Sequence, residues 1–193
     1  MKKRKFLLVL ISGICLVLIG VSLMVVTQMR IHAGKQHSKH ILEKLDGILP
    51  ERKSGLLEMY LDSGMPVLEI DGEDYVCVIE IPSFDVTLPV ADRWDSNKVF
   101  GSPARFFGSA YDGSLIIGGA DISQQFGFCK EIELGTLVTV TDMTGTQFTY
   151  VVSDVDRAKH AETKWLMDAE CDLTLFCRDL YSMEYIAVRF VYN

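Results

Sequence analysis

The sequence predicts an all-β domain of seven to eight strands with short helices, preceded by one N-terminal transmembrane helix. Three observations carry this reading. Residues Phe6 to Thr27 form an uncharged, apolar run. From Tyr75 onward, short β-branched and aromatic runs alternate with Pro, Gly, Asp and Ser signals. The length of 193 residues with 49% hydrophobic content suits one core plus an appendage and excludes a disordered chain.

The apolar run comes first. Its helical length is roughly 30 Å, the thickness of the hydrocarbon core. Lys2, Lys3, Arg4 and Lys5 precede it and no acid appears before Glu43, so the positive-inside rule places the amino end in the cytoplasm. The run is long for a secretory signal, and Val26-Thr27-Gln28-Met29-Arg30 offers no small-residue cleavage site. Residues 1–5 are therefore read as a cytoplasmic basic tail and 6–28 as an uncleaved signal anchor. The remainder is expected outside the cell membrane.

Residues 29–74 are read as a stalk or linker, partly helical. Ile41, Leu42, Leu45, Ile48 and Leu49 have helical spacing, Pro50 is the expected stop, and a loose stretch follows up to Gly72. His32, His37 and His40 stand with Lys35 and Lys39 in what reads as a solvated basic segment near anionic headgroups, not a metal site. Glu69, Asp71, Glu73 and Asp74 lack the Asp-x-Asp-x-Asp-Gly spacing of a calcium loop and read as a solvated charge run.

The compact domain is expected over 75–193. Its strand runs are Tyr75 to Ile81, Phe84 to Val90, Leu115 to Ile117, Leu137 to Val140, Phe148 to Val155, Leu173 to Phe176 and Tyr185 to Tyr192, with a short helix around Ser123 to Glu131. So many strands imply a closed barrel or a sandwich. From position 54 the chain carries 23 acids against 9 bases, a net of −14, which repels phosphate backbones and argues against nucleic-acid binding. Cys77, Cys129, Cys171 and Cys177 follow no zinc or disulfide spacing and read as buried small hydrophobes. No metal and no cofactor is expected.

Several segments, in order, resemble a known family. Ile81-Pro82-Ser83-Phe84-Asp85-Val86-Thr87-Leu88-Pro89-Val90 is similar to the opening signature of the sortases, the membrane-anchored cysteine transpeptidases of Gram-positive bacteria. Gly113-Ser114-Leu115-Ile116-Ile117-Gly118-Gly119-Ala120 occupies the segment that in sortases ends in Gly-His. Phe126-Gly127-Phe128-Cys129-Lys130-Glu131-Ile132, then Leu134-Gly135, resembles the following helix and turn. Asp172-Leu173-Thr174-Leu175-Phe176-Cys177-Arg178 resembles the strand that ends in Thr-Cys. The resemblance covers 75–193 and implies an eight-stranded sortase β-barrel.

It also implies a site, and there the sequence departs from the family. A sortase uses a thiolate to attack the sorting-signal carbonyl, an imidazole to move protons and a guanidinium to stabilise the oxyanion. In an ungapped alignment the His position holds Ala120, the Cys position Arg178 and the Arg position Tyr185. The resemblance thus points to a pseudosortase: a cell-surface binding or scaffolding module without catalytic residues, with a surface-protein or pilin segment as the candidate occupant of the old groove. The alternative is an active transpeptidase using Cys177 in a shifted register, with His160 as its base. Strand alternation opposes it, because a one-residue slip turns Cys177 to the other face. A third reading is a plain β-barrel whose apolar motifs serve folding alone. Arg178 itself has two readings, a cation for a bound carboxylate or a salt bridge with Asp179 or Glu184.

Overall fold

A computed structural model of the chain describes residues 2–49, 53–54, 64–160, 162–167 and 170–193. A long helix, α1 (Lys2–Asp46), is followed by β1 (Lys53–Ser54), β2 (Leu68–Ile70), β3 (Glu73–Ile81), β4 (Val86–Ala91), β5 (Ala104–Phe107) and β6 (Leu115–Ala120). The order continues with β7 (Leu137–Asp142), β8 (Thr146–Ala158), a single helical turn α2 (Thr163–Met167), β9 (Leu173–Arg178) and β10 (Tyr185–Tyr192).

Eight strands close a ring. Hydrogen bonding runs β3-β4-β5-β6-β9-β10-β8, and β7 joins β8 back to β3. β2 adds to β3 and β1 to β8 outside the ring. Strand alternation sends one set of side chains inward: Leu173, Leu175 and Cys177 from β9, Ile186, Val188 and Phe190 from β10, Phe148, Tyr150 and Val152 from β8. The thinnest join is β4 to β5, a parallel contact through Ala91 and Ala104 alone.

Local chemistry explains the turns. Pro82 opens a 3₁₀ turn to Phe84, and Asp85 adopts a left-handed φ of 52° that returns the chain into β4. The strand therefore starts at Val86 and not at Phe84. In the β7–β8 hairpin the fully buried Asp142 accepts bonds from the amides of Thr144 (2.8 Å) and Thr146 (2.9 Å) and from the Tyr111 hydroxyl. Burial, with Asp142 beside it, pushes the Tyr111 phenol up to about 12. The helix expected around 123–131 is a 3₁₀ segment, Phe126–Lys130. β2, β5 and α2 are too short to leave a periodic signal in the sequence.

The expected stalk differs most. Where a span and a separate second helix were expected, α1 continues unbroken through Asp46, and its last turns pack against the barrel. Ile41 and Leu45 are buried with Ile70, Tyr75 and Val78 in a second apolar cluster. The acidic run is not simply solvated: Lys44 Nζ lies 2.6 Å from Asp71, His40 lies 3.2 Å from it, and Glu73 meets Lys98 at 3.1 Å and His37 at 3.5 Å. Lys44 foremost, then His40, holds the Asp71 carboxyl below its ordinary value. Pro50, the expected stop, lies outside the described residues.

Candidate functional site

The parallel register of β6 and β9 sets Ala120 opposite Arg178, and the antiparallel register of β9 and β10 sets Arg178 opposite Tyr185. Ala120, far away in sequence, thus joins Arg178 and Tyr185 in one row across adjacent strands, about 5 Å apart from strand to strand. Below it come Gly118, Phe176 and Ala187, then Ile116, Thr174 and Arg189. These residues point away from the barrel core. They make up the outer face of β6, β9 and β10, where Ile116, Phe176 and Ala187 are buried with Leu166, and Ile116 and Thr174 line a small cavity of about 110 Å³ with Leu166 and Met167.

Aromatic rings cover part of that face. Trp94, Phe106 and Phe176 pack in tilted and edge-on pairs with centroids 5.3 to 6.2 Å apart. The approach explains Gly118: a Cβ there would stand 2.3 Å from Trp94 and 2.7 Å from Phe176. Trp165 and Leu166 of α2 form the far wall. Arg189, 3% exposed, holds that wall by donating to the carbonyls of Leu166 (2.9 Å) and Trp165 (2.7 Å) and to Thr174 Oγ1 (2.9 Å).

Arg178 takes neither of the partners that charge spacing offered. Its Nε donates to the Met183 carbonyl at 3.3 Å, and its guanidinium lies 5.6 Å from the Tyr185 ring centroid. Asp179 instead faces Lys130 at 3.3 Å and Arg157 at 3.9 Å. Lys130 also meets Asp121 at 2.6 Å, and Asp121 accepts the Leu180 amide at 2.9 Å. The β9–β10 loop is thereby tied to the end of β6.

The Tyr181 amide, then the Ser182 hydroxyl and Lys130, hold the Asp179 carboxyl at about 2, against the opposing effect of burial. A carboxyl lowered on folding contributes stability above its unfolded value, near 4, that disappears as pH falls toward 2. The Tyr181 amide, which donates to Asp179 at 2.8 Å, should accordingly lose hydrogen-exchange protection between pH 4 and about 2 while the barrel strands keep theirs. Asp179→Asn should remove that pH dependence.

The fallback pair is not brought together as a dyad. Cys177 lies inside the barrel at 1% exposure, and its Sγ contacts the Phe126 carbonyl at 3.7 Å. His160 is exposed on the segment after β8. Cys129, Cys177's neighbour, has its thiol pushed well up by burial. Cys77, Cys129 and Cys177 are buried, whereas Cys171, read as buried too, is part-exposed and bonded to Thr174 Oγ1 at 3.3 Å. Among the described residues, no group of three metal-ligating side chains occurs. Arg189 and Trp94 are the groove residues that sequence reading missed. An arginine inside the run Val188-Arg189-Phe190 was the available signal.

No protein-family model and no curated protein matches the chain. Solved structures do. Sortase C-3 from Streptococcus pneumoniae aligns with a TM-score of 0.57 at 16% identity, over 86% of this chain and 84% of that one. The Clostridium perfringens sortase D5 transpeptidase aligns at 0.56 and 16% identity, over 84% and 99%. Sortase C1 from Streptococcus agalactiae aligns at 0.54 and 20% identity, over 65% and 71%. The chain has the sortase fold: a closed eight-stranded barrel with few helices, behind one N-terminal helix long and apolar enough to cross a membrane.

Proposed function

We propose that this protein is a membrane-anchored, extracellular, non-catalytic member of the sortase class that binds or scaffolds a partner through the outer groove. The carrying observation is the row Ala120, Arg178 and Tyr185 across three adjacent strands. Those are the positions where the family resemblance calls for imidazole, thiolate and guanidinium. Ala120 exchanges no proton, Arg178 is no nucleophile and Tyr185 carries no fixed positive charge. A permanent cation stands where a thiolate would act, so the groove suits a ligand carboxylate. The rim supports binding by a protein segment, since Leu180, Tyr181 and Met183 are exposed beside it, Tyr181 at 97%.

The test is to incubate the native chain with pooled sorting-signal peptides and read the intact mass. No thioacyl adduct is expected. An adduct that forms on the native chain and disappears in Cys177→Ala would overturn the proposal and favour a transpeptidase of shifted register.

A further inference from the structure

Cys129 and Cys177 are far apart in the chain and meet in the barrel core. Cys177 stands opposite Gly119 on β6 and Ile186 on β10. The 3₁₀ segment Phe126–Lys130 covers this corner. The Phe126 ring lies over Gly119, where a Cβ would stand 2.5 Å from it, and the Phe126 carbonyl lies 3.7 Å from Cys177 Sγ. Side chains three residues apart in a 3₁₀ segment eclipse one another, so Cys129 follows Phe126 on the same face. Its thiol faces that of Cys177 in hydrogen-bond contact. Both side chains are buried in the same apolar cluster. Cα atoms of the segment come within 8 Å of those of β9, close to the roughly 4.5 to 7 Å that a disulfide spans.

The other cysteines are placed differently. Cys77 stands on β3 opposite Val90 and Asp142, Cys171 is part-exposed and bonded to Thr174, and Cys15 belongs to α1. Burial foremost, then the facing Cys177, pushes the Cys129 thiol well up. A thiol held neutral does not exchange, because the thiolate is the attacking species. Any bond between the two is therefore made before the core closes, and once made it is shielded from reductants.

We propose that Cys129 and Cys177 form a disulfide as the domain folds outside the membrane, locking the 3₁₀ segment to β9. The step is a pair of exchanges with an external disulfide oxidant. A thiolate of the unfolded chain attacks the oxidant's S–S bond and releases one thiol, and the second cysteine's thiolate attacks the mixed disulfide and releases the other. One S–S bond breaks and one forms. The chain gives up two electrons and two protons, and the oxidant leaves as two thiols. The bond secures the corner beside the row Ala120, Arg178 and Tyr185, because Lys130, next to Cys129, joins Asp121 and Asp179. It also leaves Cys177 without a thiol, in keeping with the non-catalytic reading. The inference rests on the extracellular reading of the domain.

The experiment uses the full chain expressed in a Gram-positive host. Protoplasts are first treated with a membrane-impermeant maleimide, then denatured, alkylated with iodoacetamide and digested without reductant. The expected result is maleimide on the part-exposed Cys171 and a cross-linked peptide pair joining Cys129 to Cys177, lighter than the two thiol peptides by two hydrogens. With dithiothreitol present, the melting temperature of the detergent-solubilised chain should fall by roughly 10 °C, as the closed loop 129–177 is long. Cys129→Ala should melt alike with and without dithiothreitol. Iodoacetamide on both Cys129 and Cys177, or a cross-link through Cys77 or Cys171, would overturn the inference, as would a native melting temperature indifferent to dithiothreitol. Cys171 separates the two readings. If it escapes the maleimide, the extracellular reading and this inference fail together, whereas a labelled Cys171 beside alkylated Cys129 and Cys177 defeats this inference alone.

Discussion

The triple variant Ala120→His, Arg178→Cys, Tyr185→Arg is expected to form a thioacyl adduct that the native chain does not. Register is the reason. The three positions face each other across β6, β9 and β10, so the substitutions place imidazole, thiol and guanidinium on one row of the outer face. The expected effect is large. General acid–base catalysis contributes about 100- to 10,000-fold, and one oxyanion donor a further 100- to 1,000-fold. The single variant Arg178→Cys supplies a thiol without a base and should remain near background. Intact mass after incubation with pooled sorting-signal peptides is the measurement. A folded triple variant that neither reacts with nor binds any peptide would show that the groove has lost its shape for such a ligand, and would leave a scaffold role alone. Trp94, lying over Gly118, is then the side chain in the way.

Much of the barrel was legible because its motifs are apolar and alternate. Leu173, Leu175 and Cys177 point inward, which fixes the face on which Arg178 must lie. That face and its register follow from a pattern of period two that a sequence displays directly. The partners of Arg178 did not follow. Asp179 is adjacent in sequence, but adjacent strand residues point to opposite faces, and Asp179 turns toward Lys130. Met183 reaches Arg178 only through the hairpin, where it adopts a left-handed φ of 63° that its residue type does not announce. The docking of α1 was hidden for a different reason. His37, His40 and Lys44 pair with Asp71 and Glu73 across a long stretch of chain, and such pairs have no periodicity. Read as separate charge runs, they appear solvated. Only the fold shows that one neutralises the other.

Arg189→Leu is expected to cost about 3 kcal/mol, the order expected when two carbonyls and a hydroxyl lose their donor. Two effects add. Asp156, 3.5 Å from Arg189 Nε, loses its cation, and the carbonyls of Trp165 and Leu166 lose their donors. The second matters more for the groove. α2 is a single turn, Thr163–Met167, too short to be stable by itself, and the last carbonyls of a helix have no partner within it. Arg189 supplies that partner with a planar fork, while its guanidinium lies 5.2 Å from the centroid of Trp165. Without it the turn should detach and take Trp165 and Leu166 off the groove wall. Arg189→Lys should restore only part of the loss, since one ammonium cannot reach both carbonyls and Thr174 in the same geometry. The melting temperature of the detergent-solubilised chain should fall by roughly 10 °C for a domain of this size. Exchange protection at residues 163–167 should vanish before that of β9 and β10. A variant that keeps α2 protected would show that apolar packing of Leu166 against Ile116, Phe176 and Ala187 suffices to hold the wall, and that the buried guanidinium is dispensable to the groove.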